Sequence, residues 1–147
     1  MGVIYIACDH AGFQLKETIK ETLNSAGHSV VDCGTSSCAS CDYPLFAHDL
    51  CRRMRQADDA LGILVCGTGI GMSMVANRHP HIRAALCNTE LHAKLSREHN
   101  NANVLCLGAR MTGVELAKAI VQAFLSAKFL GDRHARRVDE FNQLEES

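Results

Sequence analysis

Leu61-Gly62-Ile63-Leu64-Val65-Cys66, followed at once by Gly67-Thr68-Gly69-Ile70-Gly71, decides the fold. The first six residues are apolar apart from one glycine, too few to span a bilayer, and they predict a strand buried on both faces. Three alternating glycines then turn that strand into a helix reaching about Asn77. Working outward, Val3 to Cys8 reads as a second buried strand. A helix with Leu15, Ile19 and Leu23 at spacing four follows it, with Gly27 as its C-terminal cap. Ser29 to Cys33 is a strand closed by Gly34, residues 35–42 are a cysteine-rich loop, and Pro44 fits the first turn of a helix carrying Leu45, Leu50 and Met54. On the other side, Ile82 to Cys87 is a strand, residues 89–98 a helix, and Val104 to Leu107 the last strand. Thr112-Gly113-Val114-Glu115 has the pattern of a capping box, opening a helix with Leu116, Ile120 and Phe124 on one face. A basic helical segment begins at about residue 132. Strands separated by helices argue an α/β three-layer sandwich, one domain over residues 1–147, with a mainly parallel sheet covered on both faces.

Composition narrows the function. The 147 residues are 47% hydrophobic and 21% charged, ordinary for a globular domain and unlike a disordered tail or a coiled coil. Fifteen basic against sixteen acidic side chains give a net charge of -1, so no global field draws the chain to nucleic acid or a membrane. Any anionic ligand must be held locally. No basic residue precedes the N-terminal apolar stretch, and Asp9 and His10 interrupt it, so a buried strand is expected there and not a signal peptide. A reducing cytoplasm with free thiols is the matching expectation for the eight cysteines.

Ligands of such sheets bind outside the carboxyl ends of the strands. Asp9 and His10 follow the first strand, Cys66 and the glycine loop follow Leu61–Cys66, Asn88 follows Ile82–Cys87, and Arg110 follows the last. His99 and Asn100 stand apart, at the end of a helix. The glycine loop lacks the Lys of a Walker A motif and the Gly-x-Gly-x-x-Gly spacing of dinucleotide folds. Glycine at every second position lets backbone amides converge on an anion; the same loop also serves as a tight turn with no ligand. Cys66 sits at its doorway, and the Thr68 hydroxyl is placed to hydrogen-bond its thiolate. Arg133 and Arg137, four apart on one helical face, suit a phosphate dianion or a solvated basic surface. His28, His48, His79, His81, His92 and His134 read as surface or satisfied residues. Cys38-x-x-Cys41 is a lone knuckle where zinc ribbons pair two, so it reads as a loop of thiols open to oxidation, with no metal site.

Taken in order, Cys8-Asp9-His10-Ala11-Gly12, Asp42-Tyr43-Pro44, Cys66-Gly67-Thr68-Gly69-Ile70-Gly71, Ser96-Arg97-Glu98-His99-Asn100-Asn101-Ala102-Asn103-Val104, and Arg133 with Arg137 resemble the type B ribose-5-phosphate isomerases and their allose- and galactose-6-phosphate relatives. The resemblance covers essentially the whole chain. It implies a Rossmann-like fold, at least a homodimer, no metal, no cofactor, and interconversion of ribose 5-phosphate and ribulose 5-phosphate in the pentose phosphate pathway. It also implies roles. Cys66, with Thr68 beside it, moves a proton between C1 and C2; the amides of Gly67, Thr68, Gly69, Ile70 and Gly71 stabilise the enediolate; His99 opens the furanose ring. Asp9, His10 and Asn100 contact the sugar phosphate, and Arg110, Arg133 and Arg137 serve its phosphate, with His99, Asn100 and Arg110 supplied by the partner subunit. Some relatives use a glutamate where this chain has Met72, and methionine takes no proton, so Cys66 must serve here. Three other readings stay open on sequence: an allose 6-phosphate substrate, a non-catalytic sugar-phosphate- or nucleotide-binding module, and a thiol redox or zinc protein using Cys38 and Cys41.

Overall fold

The computed structural model describes residues 2–144. Five strands, β1 (Ile4–Cys8), β2 (Val30–Asp32), β3 (Leu61–Cys66), β4 (Ala84–Leu86) and β5 (Val104–Gly108), form one sheet in the order β2-β1-β3-β5-β4. Every pairing is parallel. The helices are α1 (Phe13–Ser25), α2 (Tyr43–Met54), α3 (Ile70–Ala76), α4 (Glu90–Asn100), α5 (Val114–Ser126) and α6 (Arg133–Asp139), with one 3-10 turn at His10–Gly12. None of the described helices is long and apolar enough to cross a membrane.

The side-chain period of two along β3 explains the three layers. Ile63 and Val65 pack with Leu15, Ile19, Leu23, Ile120 and Phe124 in one core. Leu64 and Cys66 face the other way, against Leu50 and Met54 of α2 and Met72 and Ala76 of α3. Each fully buried aliphatic or aromatic side chain contributes about 1.5–3 kcal/mol.

Three local expectations are corrected. Leu45 is 64% exposed and Leu116 43% exposed; the buried stripes run instead through Ala47, Leu50, Cys51 and Met54, and through Ala117, Ile120, Val121 and Phe124. The capping box at Thr112 does not form. Thr112 is buried in the turn after β5, its amide donating to the Gly108 carbonyl, and Gly113 becomes the N-cap with no side-chain hydrogen bond. Strand β4 is also shorter than the expected Ile82–Cys87. The Arg83 amide donates to the Asn103 side chain at 2.7 Å, so the ladder starts at Ala84.

Behind β1 lies a charged cluster that fixes the first strand-end loop. The Lys16 ammonium, fully buried, bonds both Asp32 oxygens at 2.7 and 2.8 Å and the Thr35 carbonyl at 2.6 Å. Lys20 and the Gly34 amide add bonds to Asp32 at 2.8 Å each. Gly34 and Thr35 in turn pair with the Cys8 backbone at 2.7 and 2.9 Å, next to Asp9. Burial alone would raise the Asp32 carboxyl, but the hydrogen bonds from Lys16, Lys20 and Gly34 outweigh it and hold the group below the usual carboxylate range. A depressed folded-state value means the stabilisation is complete above the unfolded pKa of ~3.9 and is lost as pH falls through the lower folded value. Asp32→Asn is therefore expected to cost about 3 kcal/mol at pH 7, because it strands the buried Lys16 charge. In urea titrations the gap between the two chains should narrow as pH drops below ~4; a gap independent of pH would refute the assignment.

Candidate active site

From β1 the chain passes outward to β2 on one side, then returns to β3 on the other, which opens a crevice at the carboxyl ends of β1 and β3. Asp9 and Cys66 sit at its two lips. Cys66 is 5% exposed, and its Sγ accepts the Gly69 amide at 3.1 Å. Gly69 has φ +80, and a Cβ there would lie 2.6 Å from Leu86 Cδ1 and 2.9 Å from the Leu107 carbonyl carbon. Only glycine lets the loop fold back and aim that N–H at sulfur, where it stabilises negative charge. The Thr68 hydroxyl does something else: it accepts the Ile70 amide at 3.2 Å and so braces the loop. Sulfur's donor is thus Gly69, where the sequence pointed to Thr68.

Around this loop stand Arg110, Tyr43, Asp9 and His10. The Arg110 amide donates to the Gly67 carbonyl at 3.0 Å, and a Cβ on Gly67 would lie 3.2 Å from Arg110 Nη1. The family pattern implied a partner's Arg110; here the guanidinium rests on its own chain's loop. The Tyr43 ring covers Gly71 so closely that a Cβ there would be 2.5 Å from its Cζ. Asp9 is buried, and its Oδ1 caps the 3-10 turn by accepting the Ala11 and Gly12 amides at 3.0 and 3.2 Å. His10 Nδ1 accepts the Cys41 amide at 3.2 Å, which in the neutral ring places the proton on Nε2.

The remaining predicted residues lie elsewhere. Helix α4 starts beyond the carboxyl end of β4 and returns to the amino edge, about 16 Å for its 11 residues. His99 and Asn100 therefore end at the opposite edge from Cys66. Asn100 lines a cavity of about 440 Å³ there with Ile82, Arg83 and Ala84, the residues leading into β4. Helix α6, carrying Arg133 and Arg137, joins the same edge: Leu130, just before it, donates its amide to the Glu98 carbonyl at 3.1 Å, and His134 stacks on His99 with centroids 4.4 Å apart and planes 11° apart. Burial, and then the charges of Arg133, His99 and Arg137, push the His134 pKa down, and its Nε2 is buried without a hydrogen-bond partner.

The predicted residues thus form two groups on opposite edges of one chain. Asp9, His10, Cys66 to Gly71 and Arg110 make one; His99, Asn100, Arg133 and Arg137 make the other. Two neighbours escaped the sequence reading. The sequence reads His134 as a satisfied surface residue, but its place between Arg133 and Arg137 is a signal. Tyr43 stands in the Asp42-Tyr43-Pro44 motif, which by itself gives it no role. Among the described residues no three His, Cys, Asp or Glu side chains are placed to share a metal ion. The first group offers a thiol beside an amide-lined hollow, a carboxylate and an imidazole; the second offers imidazoles and two guanidinium groups. Together they supply what proton transfer along a phosphorylated carbon chain requires.

Comparison with known proteins agrees with that chemistry. A family model described as Ribose/Galactose Isomerase matches residues 4–141. Ribose-5-phosphate isomerase B of Escherichia coli is 43% identical over 146 residues, covering 99% of this chain and 98% of its own. The crystal structure of a ribose 5-phosphate isomerase from Thermotoga maritima superposes with a TM-score of 0.93 at 48% identity, over 97% of this chain and 99% of that one. The Mycoplasma genitalium ribose-5-phosphate isomerase B, solved with bound ribulose-5-phosphate, superposes with a TM-score of 0.92 at 43% identity, over 96% and 94% of the two chains.

Proposed function

We propose that this chain, which belongs to the Ribose/Galactose Isomerase family, is an aldose–ketose isomerase that interconverts ribose 5-phosphate and ribulose 5-phosphate. The observation that carries the mechanism is the Cys66 sulfur, held by the Gly69 amide at the mouth of the glycine loop. In our reading the Cys66 thiolate removes the proton from C2 of the open-chain aldose. The C2–H electrons become the C1–C2 double bond, and the carbonyl electrons move onto the C1 oxygen. Amides of the Gly67–Gly71 loop stabilise that oxygen, an interaction worth about 2.7–4 kcal/mol per donor in acyl-transfer enzymes. Moving the C2 hydroxyl proton to the C1 oxygen, and returning the proton on sulfur to C1, completes the ketose. The carbonyl moves without net gain or loss of electrons, so the reaction needs no redox cofactor.

His99 acts as the proton donor that opens the furanose ring. Asp9, His10 and Asn100 hold the sugar phosphate, and Arg110, Arg133 and Arg137 hold its phosphate end. These roles require His99 to meet Cys66, and the two-edge geometry supports a homodimer in which one protomer's amino edge closes over its partner's crevice. The reaction belongs to the non-oxidative pentose phosphate pathway. A catalytic thiol must stay reduced, which favours the cytoplasm.

The test is an assay of ribose 5-phosphate and ribulose 5-phosphate interconversion in the presence of a chelator, with wild type and Arg137→Ala side by side. Turnover by wild type is expected. Arg137→Ala should raise KM about 10- to 100-fold, with kcat less affected, since one charge-assisted phosphate contact is worth about 1.5–3 kcal/mol. Turnover of allose 6-phosphate alone would shift the substrate to six carbons. Binding without any turnover would reduce the chain to a sugar-phosphate-binding module.

A further inference from the structure

The isomerase reading assigns no role to the cysteines of the 34–42 loop. All eight cysteines are free thiols. Burial pushes Cys8 and Cys51 up to about 12 and Cys33 and Cys87 up to about 11, and it holds the wholly buried Cys106 well above its usual value. Those five are buried and held in the thiol form, and Cys66 is in the crevice. Cys38, exposed, and Cys41, half-buried, remain. The chain bends at residues 37–39, around Cys38, and the bend is held by the Ala39 amide donating to Ser37 Oγ at 3.2 Å. Three residues of chain span at most about 10–11 Å when fully extended, so movement of this one loop is enough to bring the two Cα atoms into the ~4.4–6.8 Å a disulfide requires.

The loop touches the candidate site at two points. Cys41 Sγ is 4.0 Å from His10 Nδ1, the same atom that accepts the Cys41 amide at 3.2 Å. Two residues on, Tyr43 covers Gly71 of the glycine loop. An imidazole nitrogen beside a thiol accepts its proton as the sulfur becomes a nucleophile.

We propose that Cys38 and Cys41 are a thiol–disulfide exchange site for low-molecular-weight disulfides, and that its oxidation disables the isomerase site. The Cys41 amide swings off His10 Nδ1, the thiol passes its proton to that freed nitrogen, and the sulfur attacks one sulfur of the small disulfide RSSR. That S–S bond breaks, RS⁻ leaves, and a mixed disulfide forms on Cys41. The Cys38 thiolate then displaces the second RS⁻ and makes the Cys38–Cys41 bond. Both thiol protons end on the departing RS⁻ groups, so two protein thiols are oxidised and RSSR is reduced to two RSH. Drawing Cys41 toward Cys38 keeps its amide off His10 and pulls the start of α2, with Tyr43, away from Gly71. The loss of turnover rests on the isomerase reading; the disulfide does not.

The full-length wild type, reduced and assayed first, is incubated with oxidised glutathione under native conditions, then mapped by peptide mass spectrometry and assayed again. A Cys38–Cys41 link is expected, with the Cys66 peptide unmodified. Turnover should fall about tenfold or more, as small displacements of site residues do, and return with dithiothreitol. Cys38→Ser should match wild type when reduced and stop at the mixed disulfide on Cys41. The absence of a link, a link that leaves turnover unchanged, or inactivation traced to Cys66 each overturns the proposal. Reduced wild type without turnover would sink the isomerase reading and the loss of activity with it, while the map still decides the disulfide.

Discussion

Cys66→Ala is expected to lower kcat for ribose 5-phosphate by about 10²–10⁴-fold, the contribution of a positioned acid–base group, while KM changes little. The sulfur makes its one described hydrogen bond within the glycine loop, so its loss leaves the phosphate contacts proposed for Arg133, Arg137 and Arg110 in place. Cys66→Ser should fare almost as badly, because the alcohol keeps the size and the Gly69 bond but not the acidity. Met72, fully buried in the second core, offers no substitute base. Steady-state kinetics on both variants, with circular dichroism as the folding control, make the measurement. Equal activity of Cys66→Ala and wild type would move the base elsewhere and sink the mechanism.

The second large effect is complementation between inactive chains. Cys66→Ala and His99→Asn should each be nearly inactive as pure homodimers. Mixed by co-refolding, they should recover about a quarter of wild-type activity: half of randomly paired dimers are mixed, and one of the two sites in each has both intact residues. The ground is geometric. Cys66 ends β3 at the carboxyl edge, whereas His99 lies near the far end of α4, about 16 Å of helix away and stacked on His134. If each chain supplied both residues to its own site, mixing would restore nothing, so recovery above the sum of the separate chains is decisive.

Much of the site was legible because it is built from strand ends. Asp9, His10, Cys66 and Arg110 follow short apolar runs whose buried character is a local property, and parallel sheets gather such positions at one edge. The glycine loop was readable for the same reason, since Gly69 is required by a backbone conformation and a close approach that any side chain would block. The atom-level pairing was not. Thr68 and Gly69 are both within reach of Cys66, and only the folded loop selects the Gly69 amide for sulfur and the Ile70 amide for the hydroxyl. Helix faces were less legible still. Leu45 and Leu116 satisfy helical periodicity but lie outside the stripe that meets the sheet, and they are left exposed.

By itself, then, the amino-acid sequence determined the alternation of strands and helices, the parallel α/β class and the chemistry available at each strand end. These depend on hydrophobic period and on residues adjacent in the chain. Only the tertiary structure decided which distant residues meet. It put Cys41 against His10, 31 residues away, stacked His99 on His134, and separated Cys66 from His99 by the height of the sheet. The physical reason is that each helix returns antiparallel to its strand. A side chain near a helix end is thereby carried to the opposite edge, by a distance set by helix length and packing that no local pattern records.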